Sequence, residues 1–235
     1  MNKNLLREEL SAVGIEISLE QTDSLTKYYQ LLMDWNAHTN LTAITDFREF
    51  INKHIIDSLI PLSFLAWNQG SVADVGSGAG FPGIPMAITV PGLNFTLMDS
   101  ARKRTDFLQD CCGRLGISAK VIQERAETVG QHLQHREQYD FVISRAVAAL
   151  PVLSELCLPL VRVGGAFASM KGPKAPEEIQ AATGAITLLG GSISRVIDYF
   201  LPGGDKRSLV IIEKTSPTPS KYPRKPGTPE KRPLV

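Results

Sequence analysis

The feature that most constrains the fold is a change of rhythm at about residue 71 of this 235-residue chain. From there onward, short apolar runs alternate with segments of helix length. Strand–helix alternation at this spacing indicates right-handed crossovers and a parallel sheet with helices on both faces. We therefore predict a doubly wound, Rossmann-like α/β fold. The seven predicted strands are residues 71–75, 95–99, 120–124, 140–144, 166–170, 195–201 and 208–214.

The two ends of this pattern differ from its middle. The last two predicted strands are joined by the short loop LPGGDKR, which favours an antiparallel hairpin, so the last strand of the mostly parallel sheet is predicted to be antiparallel. Before the first strand, apolar residues recur at helical spacing, which predicts a small helical region. Its helices are expected near residues 3–13, 19–38 and 47–66.

These boundaries predict three regions. Residues 1–66 form an N-terminal helical region packed on the main domain, residues 67–215 form that domain, and residues 216–235 form a tail. The tail contains six prolines, so we expect it to be extended and mobile. Its cations suit an RNA phosphate backbone, and Lys221, Arg224 and Lys225 are candidate substrate contacts. The alternative is a disordered end that only solubilises the chain.

Cysteine content and hydropathy exclude several classes of protein. The chain has three cysteines and no C-x-x-C pair, which argues against a disulfide framework and against a zinc site, so no metal is predicted. No apolar run approaches the roughly 18–20 residues that would span a bilayer. We therefore expect a cytoplasmic protein without membrane contact. Because the sequence lacks a coiled coil or a long apolar edge, a monomer is predicted.

The stretch DVGSGAGFPG (74–83) follows the first strand and opens a helix, a place where backbone amides can approach an anionic group. Read from Gly78 it matches the dinucleotide pattern G-x-G-x-x-G. Read from Gly76 it is G-x-G-x-G, with Phe81 where the third glycine would stand. The strand is predicted to end near residue 75, which favours Gly76 as the start of the turn. The loop alone decides neither which glycines form the binding turn nor which cofactor it binds.

Carboxylates at the same sheet edge help to choose between cofactors. Asp74 beside the loop would oppose a pyrophosphate but favour the two cationic groups of S-adenosylmethionine. Asp99 ends the second strand, 23 residues after Gly76, and can accept both hydroxyls of a ribose, a feature common to NAD and S-adenosylmethionine. Ala126 and Glu127 follow the third strand and are expected to contact adenine. Together these positions favour the methyl donor.

Several motifs together resemble one known family, that of RsmG, or GidB, the bacterial 16S ribosomal RNA guanine-N7 methyltransferases. The resemblance runs from about residue 25 to the C-terminus. It is carried by NLTAIT (40–45), KHIIDSL (53–59), DVGSGAGFPGIP (74–85), LMDS with RKR and FL (97–108), AE (126–127), ISRA (143–146), MKG (170–172) and KYPRKPGTPEKRPL (221–234).

The resemblance implies a class I S-adenosylmethionine-dependent methyltransferase fold. It further implies S-adenosylmethionine as cofactor and methylation of a guanine N7 near the decoding centre, with 16S ribosomal RNA or the small ribosomal subunit as partner. It assigns cofactor contacts to Gly76, Phe81, Ala126, Glu127 and Arg145, and the ribose to Asp99. Together with the glycine loop, the candidate cofactor site comprises Asp74, Gly76, Gly78, Gly80, Phe81, Asp99, Ala126, Glu127 and Arg145.

Guanine N7 carries an accessible lone pair, so methyl transfer requires placement of the reactants rather than removal of a proton. Arg145 ends the fourth predicted strand and is a candidate catalytic residue that can bind a base or the cofactor. Its alternative role is a surface ion pair. Lys171, in MKG, is a second catalytic candidate and a substrate contact, and its alternative is a helix cap or a solvated lysine.

His54, Asp57 and Ser58 form a polar face on an otherwise apolar helix and are candidate substrate-binding residues. The alternative for Asp57 is a side-chain pair with Lys53, four residues earlier. Two other functions stay open for the whole chain. One is an NAD-dependent oxidoreductase, and the other is a non-enzymatic RNA-binding assembly factor of the ribosome that retains a vestigial pocket.

Overall fold

The computed structural model describes residues 2–234 and is built around one seven-stranded sheet. The strand order is β3-β2-β1-β4-β5-β7-β6. β7 is antiparallel to both of its neighbours, and the other pairs are parallel. The predicted doubly wound sheet with an antiparallel last strand is therefore confirmed. The strands are β1 Gly70–Val75, β2 Leu93–Asp99, β3 Lys120–Gln123, β4 Tyr139–Arg145, β5 Val161–Lys171, β6 Gly191–Phe200 and β7 Lys206–Lys214.

Helices cover both faces of the sheet. Successive residues of the inner strands belong to two separate apolar clusters: Val72 packs on one face and Ala73 on the other, as the two-residue period of a strand requires. The first cluster includes the N-terminal helices, and the second includes α8 and α9. The helices are α1 Lys3–Ser11, α2 Leu19–Thr39, α3 Phe47–Phe50, α4 Asp57–Leu59, α5 Gly83–Thr89, α6 Arg102–Leu115, α7 Ala126–Val129, α8 Leu150–Cys157, α9 Ala175–Leu188 and α10 Thr228–Lys231.

The N-terminal helices are part of the core. Tyr28 of α2 is fully buried, and its hydroxyl donates to the carbonyl of Ala79 in the glycine loop at 2.5 Å. Its ring contacts those of Phe50, Phe81 and Phe107. The helical region therefore supports the loop that follows β1. Within residues 2–234, no helix is both long and apolar enough to cross a bilayer.

The single helix predicted for residues 47–66 is wrong in detail. Between α3 and α4 the chain forms a π-helix, Ile51–Ile56, and after α4 it forms a 3₁₀-helix, Ile60–Ser63. The amide of Asp57 donates to His54, which leaves the carbonyl of Lys53 free to accept from Arg145 at 3.2 Å. A side chain from β4 thus takes an acceptor that a regular α-helix would use itself.

The expectation of a mobile tail is also wrong, because residues 216–234, here called the C-terminal strap, pack on the main domain. Tyr222 is buried, and the guanidinium of Arg224 binds the fully buried carboxylate of Glu155. Arg136 donates to the carbonyls of Thr218 and Tyr222. The prolines prevent long regular structure, but polar partners elsewhere in the chain satisfy the backbone of the strap.

Candidate active site

A cavity of about 530 Å³ opens at the carboxyl ends of β1, β2 and β4, the place where doubly wound sheets bind ligands. Its wall combines the glycine loop, the end of β2, the residues after β3 and β4, and two residues of the C-terminal strap. The wall includes Leu41, Thr42, His54, Gly76, Gly78, Phe81, Asp99, Arg104, Arg125, Ala126, Glu127, Arg145, Ala146, Val147, Ala148, Pro229 and Glu230.

The glycine loop needs its glycines for close packing. Gly76 has φ +74°, and a Cβ there would lie 2.3 Å from Val147. Gly80 has φ +95°, and its Cβ would lie 2.5 Å from Ile84, behind the loop. Both positions therefore exclude a side chain. Gly76 lines the cavity, whereas Gly80 fixes the shape of the loop from the inner side.

Most amides of the loop are engaged within the protein. Those of Gly76 and Ser77 donate to the carbonyl of Met98, and that of Gly78 donates to the carboxylate of Asp99 at 3.0 Å. Beyond Ala79, for whose amide residues 2–234 provide no acceptor, the amides of Gly80 and Phe81 both donate to the carbonyl of Ser77. The loop therefore does not form the expected cradle of free amides around an anion. A dinucleotide loop uses such amides to hold the pyrophosphate.

Asp74 braces the loop from below and does not face a ligand as the sequence suggested. Its side chain is fully buried, and Oδ2 accepts from the amide of Gly83 at 3.0 Å. Burial raises the pKa of Asp74 to about 7 from its ordinary value of 3.8. The sequence placed this carboxylate at the correct sheet edge but could not show on which side of the loop it lies.

Asp99 stands at the end of β2 in the cavity wall, where the sequence predicted it. Its carboxylate accepts from the amides of Gly78 at 3.0 Å and Ala101 at 2.9 Å. Arg104 pairs with Oδ2 at 3.3 Å, and about half of the Arg104 side chain is exposed. The backbone thus fixes the carboxylate, while a half-exposed arginine covers it.

Glu127 stands in the same wall, next to Ala126 on α7. Its Oε1 accepts from the amide of Gly227 at 2.9 Å and from the guanidinium of Arg125 at 3.3 Å. As at Asp99, one partner is a backbone amide and the other is an arginine with about half of its side chain exposed. The cavity therefore has two buried carboxylates with a similar environment on its β2–β3 side.

Arg145 forms the opposite side of the cavity, and its ion pair is mostly buried rather than on the surface. Its guanidinium forms an ion pair with Asp57 at 2.9 Å and contacts Nδ1 of His54 at 3.1 Å. It also lies 4.9 Å from the centre of the Phe81 ring, within the range of a cation–π interaction. Four predicted site residues, from three separate parts of the sequence, thus meet at one point.

His54 is held in a fixed place by its ring and both of its nitrogens. The ring stacks on Phe81 with centroids 4.1 Å apart, and Nε2 lies 3.1 Å from the hydroxyl of Thr42. Burial and the charge of Arg145 lower the pKa of His54 to about 3. The imidazole is therefore neutral at neutral pH.

Asp57 and Ser58 lie behind His54 and are both buried. Asp57 accepts from the hydroxyl of Tyr199 at 3.1 Å, and Ser58 donates to the carbonyl of His54 at 2.6 Å. They support the residues of the wall rather than form it. The same holds for Lys171, whose ammonium is buried, donates to the carbonyl of Ala148 at 2.6 Å and pairs with a glutamate of α9.

The strap cations are not gathered around the cavity. Arg224 is engaged by Glu155, Lys221 lies 5.2 Å from the ring of Tyr222, and Lys225 is exposed. Among residues 2–234, no group of three or more histidine, cysteine, aspartate or glutamate side chains is arranged to hold a metal ion.

Sequence reasoning missed several wall residues. Pro229 and Glu230 belong to the strap, and their approach depends on contacts that no local pattern reveals. Ala146, directly after β4, has φ +56°, an uncommon conformation for alanine that places strained backbone at the cavity. These residues nevertheless lie inside the family motifs: Leu41 and Thr42 in NLTAIT, Ala146 in ISRA, and Pro229 and Glu230 in KYPRKPGTPEKRPL.

The comparisons with known proteins agree with this geometry. The model of the GidB family, described as rRNA small subunit methyltransferase G, matches residues 21–205. A protein of Staphylococcus epidermidis called ribosomal RNA small subunit methyltransferase G is 47% identical, and the alignment covers 100% of this chain and 99% of the relative. A protein of the same name from Pelotomaculum thermopropionicum is 49% identical over 97% of each chain.

Solved structures support the fold. An S-adenosylmethionine-dependent methyltransferase from Aquifex aeolicus superposes with a TM-score of 0.55, at 15% identity, over 74% of this chain and 97% of its own. TrmN from Thermus thermophilus gives a TM-score of 0.52 over 70% of this chain and 53% of its own, at 16% identity. The family model matches residues 21–205, and the relatives align over nearly the whole chain at 47–49% identity. This chain therefore belongs to the GidB family.

Proposed function

We propose that this chain is an S-adenosylmethionine-dependent methyltransferase that methylates N7 of a guanine in 16S ribosomal RNA, near the decoding centre. The choice of cofactor rests on the glycine loop, in which the amides of residues 76–78, 80 and 81 are engaged by Met98, Asp99 and Ser77 and so do not form a cradle for a pyrophosphate. Membership of the GidB family supports the RNA substrate. We place the reaction in the cytoplasm, carried out by a monomer acting on the small subunit or its RNA.

The residues present fit S-adenosylmethionine. Asp99 would accept the ribose hydroxyls, and Ala126 and Glu127 would contact the adenine. The loop at Gly76 and Gly78 would pass close to the ligand without offering it a phosphate cradle. When bound, this cofactor supplies a methyl group on a positively charged sulfur.

The residues of the cavity are better suited to orienting the reactants than to transferring a proton. His54 is a poor general base, because its pKa is lowered to about 3 and its ring nitrogens already face Thr42 and Arg145. Arg145 is positioned by Asp57 and by the ring of Phe81. This suits attack by guanine N7, which has no proton to lose and depends on orientation.

The candidate catalytic and substrate-binding residues have different roles in the proposed reaction. Arg145 is the catalytic residue that faces the cavity. Lys171 holds the carbonyl of Ala148, a wall residue, and so acts as a positioning residue. Lys225 is exposed and available to RNA phosphate, whereas Arg224 serves the strap. His54, Asp57 and Ser58 shape the pocket.

Labelled S-adenosylmethionine and small-subunit particles that lack the modification test the proposal. The expected result is one label per particle, recovered as N7-methylguanine. Label in another base would contradict the N7 assignment. Calorimetry adds a second criterion: S-adenosylhomocysteine should bind and NADH should not, while the reverse would favour an oxidoreductase.

The non-enzymatic alternative is tested with Arg145→Ala in a strain that lacks the native gene, with the amount of folded variant matched to that of the wild type because the substitution is expected to destabilise the protein. If the protein is an assembly factor with a vestigial pocket, ribosome assembly should stay normal with this variant while the methyl group is absent. If the protein acts as a methyltransferase, we expect the variant strain to lose both the methyl group and the biological activity of the native protein.

A further inference from the structure

The C-terminal strap ends in the wall of the cavity. Pro229 is buried there, and Pro229 and Glu230 line the same space as Ala126 and Glu127. These two pairs are about one hundred residues apart in sequence. The strap therefore supplies a side of the cavity that the seven-stranded domain alone would leave open.

Buried charges hold the strap in this position. Glu155 is fully buried and accepts from the amide of Arg224 at 2.8 Å as well as from its guanidinium. Lys214, at the end of β7, is fully buried too and donates to Glu137 and to the hydroxyl of Thr218. A buried charge is costly unless it is well paired. Release of the strap would take Arg224 away from Glu155. It would also take the hydroxyl of Thr218 from Lys214 and the amide of Thr218 from Glu137, which accepts it at 2.7 Å.

The contact at Glu127 directs the strap towards the ligand region. Gly227 has φ +77°, and its amide donates to Oε1 of Glu127 at 2.9 Å. The strap thus holds the very carboxylate that the proposed function assigns to the adenine. Two residues later, the buried Pro229 lines the cavity.

We propose that residues 227–230 are cofactor-binding residues: the ring of Pro229 packs against the adenosine half of the ligand, and the amide of Gly227 fixes Glu127 for its contact with the adenine. The inference rests on the proposed function, since it assumes that adenosine lies between Asp99 and Glu127. A strap that served RNA alone would not need this approach, and Arg224, its best phosphate ligand, is already bound to Glu155.

Hydrogen exchange in the intact protein tests the contact without a mutation. Addition of saturating S-adenosylhomocysteine should slow amide exchange in residues 225–232 as well as in the glycine loop. Slower exchange in the loop with no change in the strap would overturn this inference and leave the proposed function standing. If calorimetry shows that S-adenosylhomocysteine does not bind at all, the proposed function itself fails.

A proline-to-alanine pair tests the role of the ring. Pro229→Ala should weaken binding of both S-adenosylhomocysteine and free adenosine by about ten-fold, as expected for loss of two buried methylene groups. Pro217→Ala is the matched control, because Pro217 lies on the same strap and is exposed. Its affinity for both ligands should equal that of the wild type.

Two results would overturn the assignment of Pro229. One is unchanged affinity of Pro229→Ala for both ligands, with an unaltered unfolding temperature. The other is weaker binding of S-adenosylhomocysteine with normal binding of adenosine, which would place Pro229 against the amino-acid half of the ligand.

Discussion

The two sides of the cavity solve the problem of buried charge differently. On the Arg145 side the charges satisfy one another: the guanidinium pairs with Asp57, and His54, which also contacts the guanidinium, is neutral. On the β2–β3 side, Asp99 and Glu127 are fixed by backbone amides and covered by half-exposed arginines. A carboxylate has about four acceptor positions, so a ligand hydroxyl or amine can replace such an arginine.

This difference separates positioning from ligand binding. The Arg145 side is a closed network in which each member fixes the next, so its loss should damage the fold and the orientation of the reactants together. The β2–β3 side keeps acceptors available, so its loss should damage affinity more than stability. Substitutions on each side should therefore affect stability and ligand affinity to different degrees.

The largest effect is expected for Arg145→Ala. It leaves the buried carboxylate of Asp57 without its closest cation, so the free energy of unfolding should fall by about 3 kcal/mol, and methylation should be lost. Urea unfolding and the methyl-transfer assay measure the two effects. The double variant with Asp57→Asn should recover part of the stability and none of the activity. Full stability in Arg145→Ala would show that the network is not closed.

On the other side, Asp99→Ala should weaken binding of S-adenosylhomocysteine by about 30-fold, because charged hydrogen bonds to the ribose are lost. Calorimetry measures this affinity, and Asp99→Asn serves as the matched variant of similar shape. We expect a smaller stability change than for Arg145→Ala. Unchanged affinity would remove Asp99 from the cofactor site.

The pH dependence of stability should differ between two buried groups. His54 has its pKa lowered from 6.5 to about 3, so its contribution is present above pH 6.5 and is lost as the pH falls towards 3. Asp74 has its pKa raised from 3.8 to about 7, so its contribution is present at low pH and is lost as the pH rises towards 7. The two contributions oppose each other in the wild type between about pH 4 and 6.5.

Single variants should separate these contributions. Relative to the wild type, stability should rise more steeply with pH in Asp74→Asn and less steeply in His54→Gln, by up to about 1.4 kcal/mol per pH unit. Urea unfolding at several pH values between 4 and 6.5 gives the slopes. Equal slopes in all three proteins would contradict the pKa shifts.

The smallest effect on activity is expected for a substitution away from the cavity, at the exposed Lys225. Lys225→Ala should leave the affinity for S-adenosylhomocysteine unchanged and raise KM for small-subunit particles about two-fold, with a weaker dependence on salt, since one exposed cation near RNA is lost. Steady-state kinetics at two salt concentrations measure this. A KM and salt dependence equal to those of the wild type would remove Lys225 from the RNA-binding surface.

Local patterns in the sequence predict one part of the structure, and contacts between distant residues determine the rest. The strand periodicity and the glycine loop locate the sheet and its functional edge, and Asp99 follows directly from the end of β2. The direction of Asp74 could not be predicted, because both sides of the loop lie at the same sheet edge. The strap packs through Glu155 and Glu127, which are 69 and 100 residues away from their partners. The π-helix likewise has a partner far away in the sequence, because the carbonyl of Lys53 accepts from the guanidinium of Arg145 in β4.

The most direct test of the account is a crystal structure of the protein with S-adenosylhomocysteine. We predict the adenosyl group between Asp99 and Glu127, with the sulfur directed towards the Arg145 side and the Gly78 amide still bonded to Asp99. A ligand held elsewhere, or a glycine loop whose amides turn outward to bind phosphate groups of a dinucleotide, would contradict it.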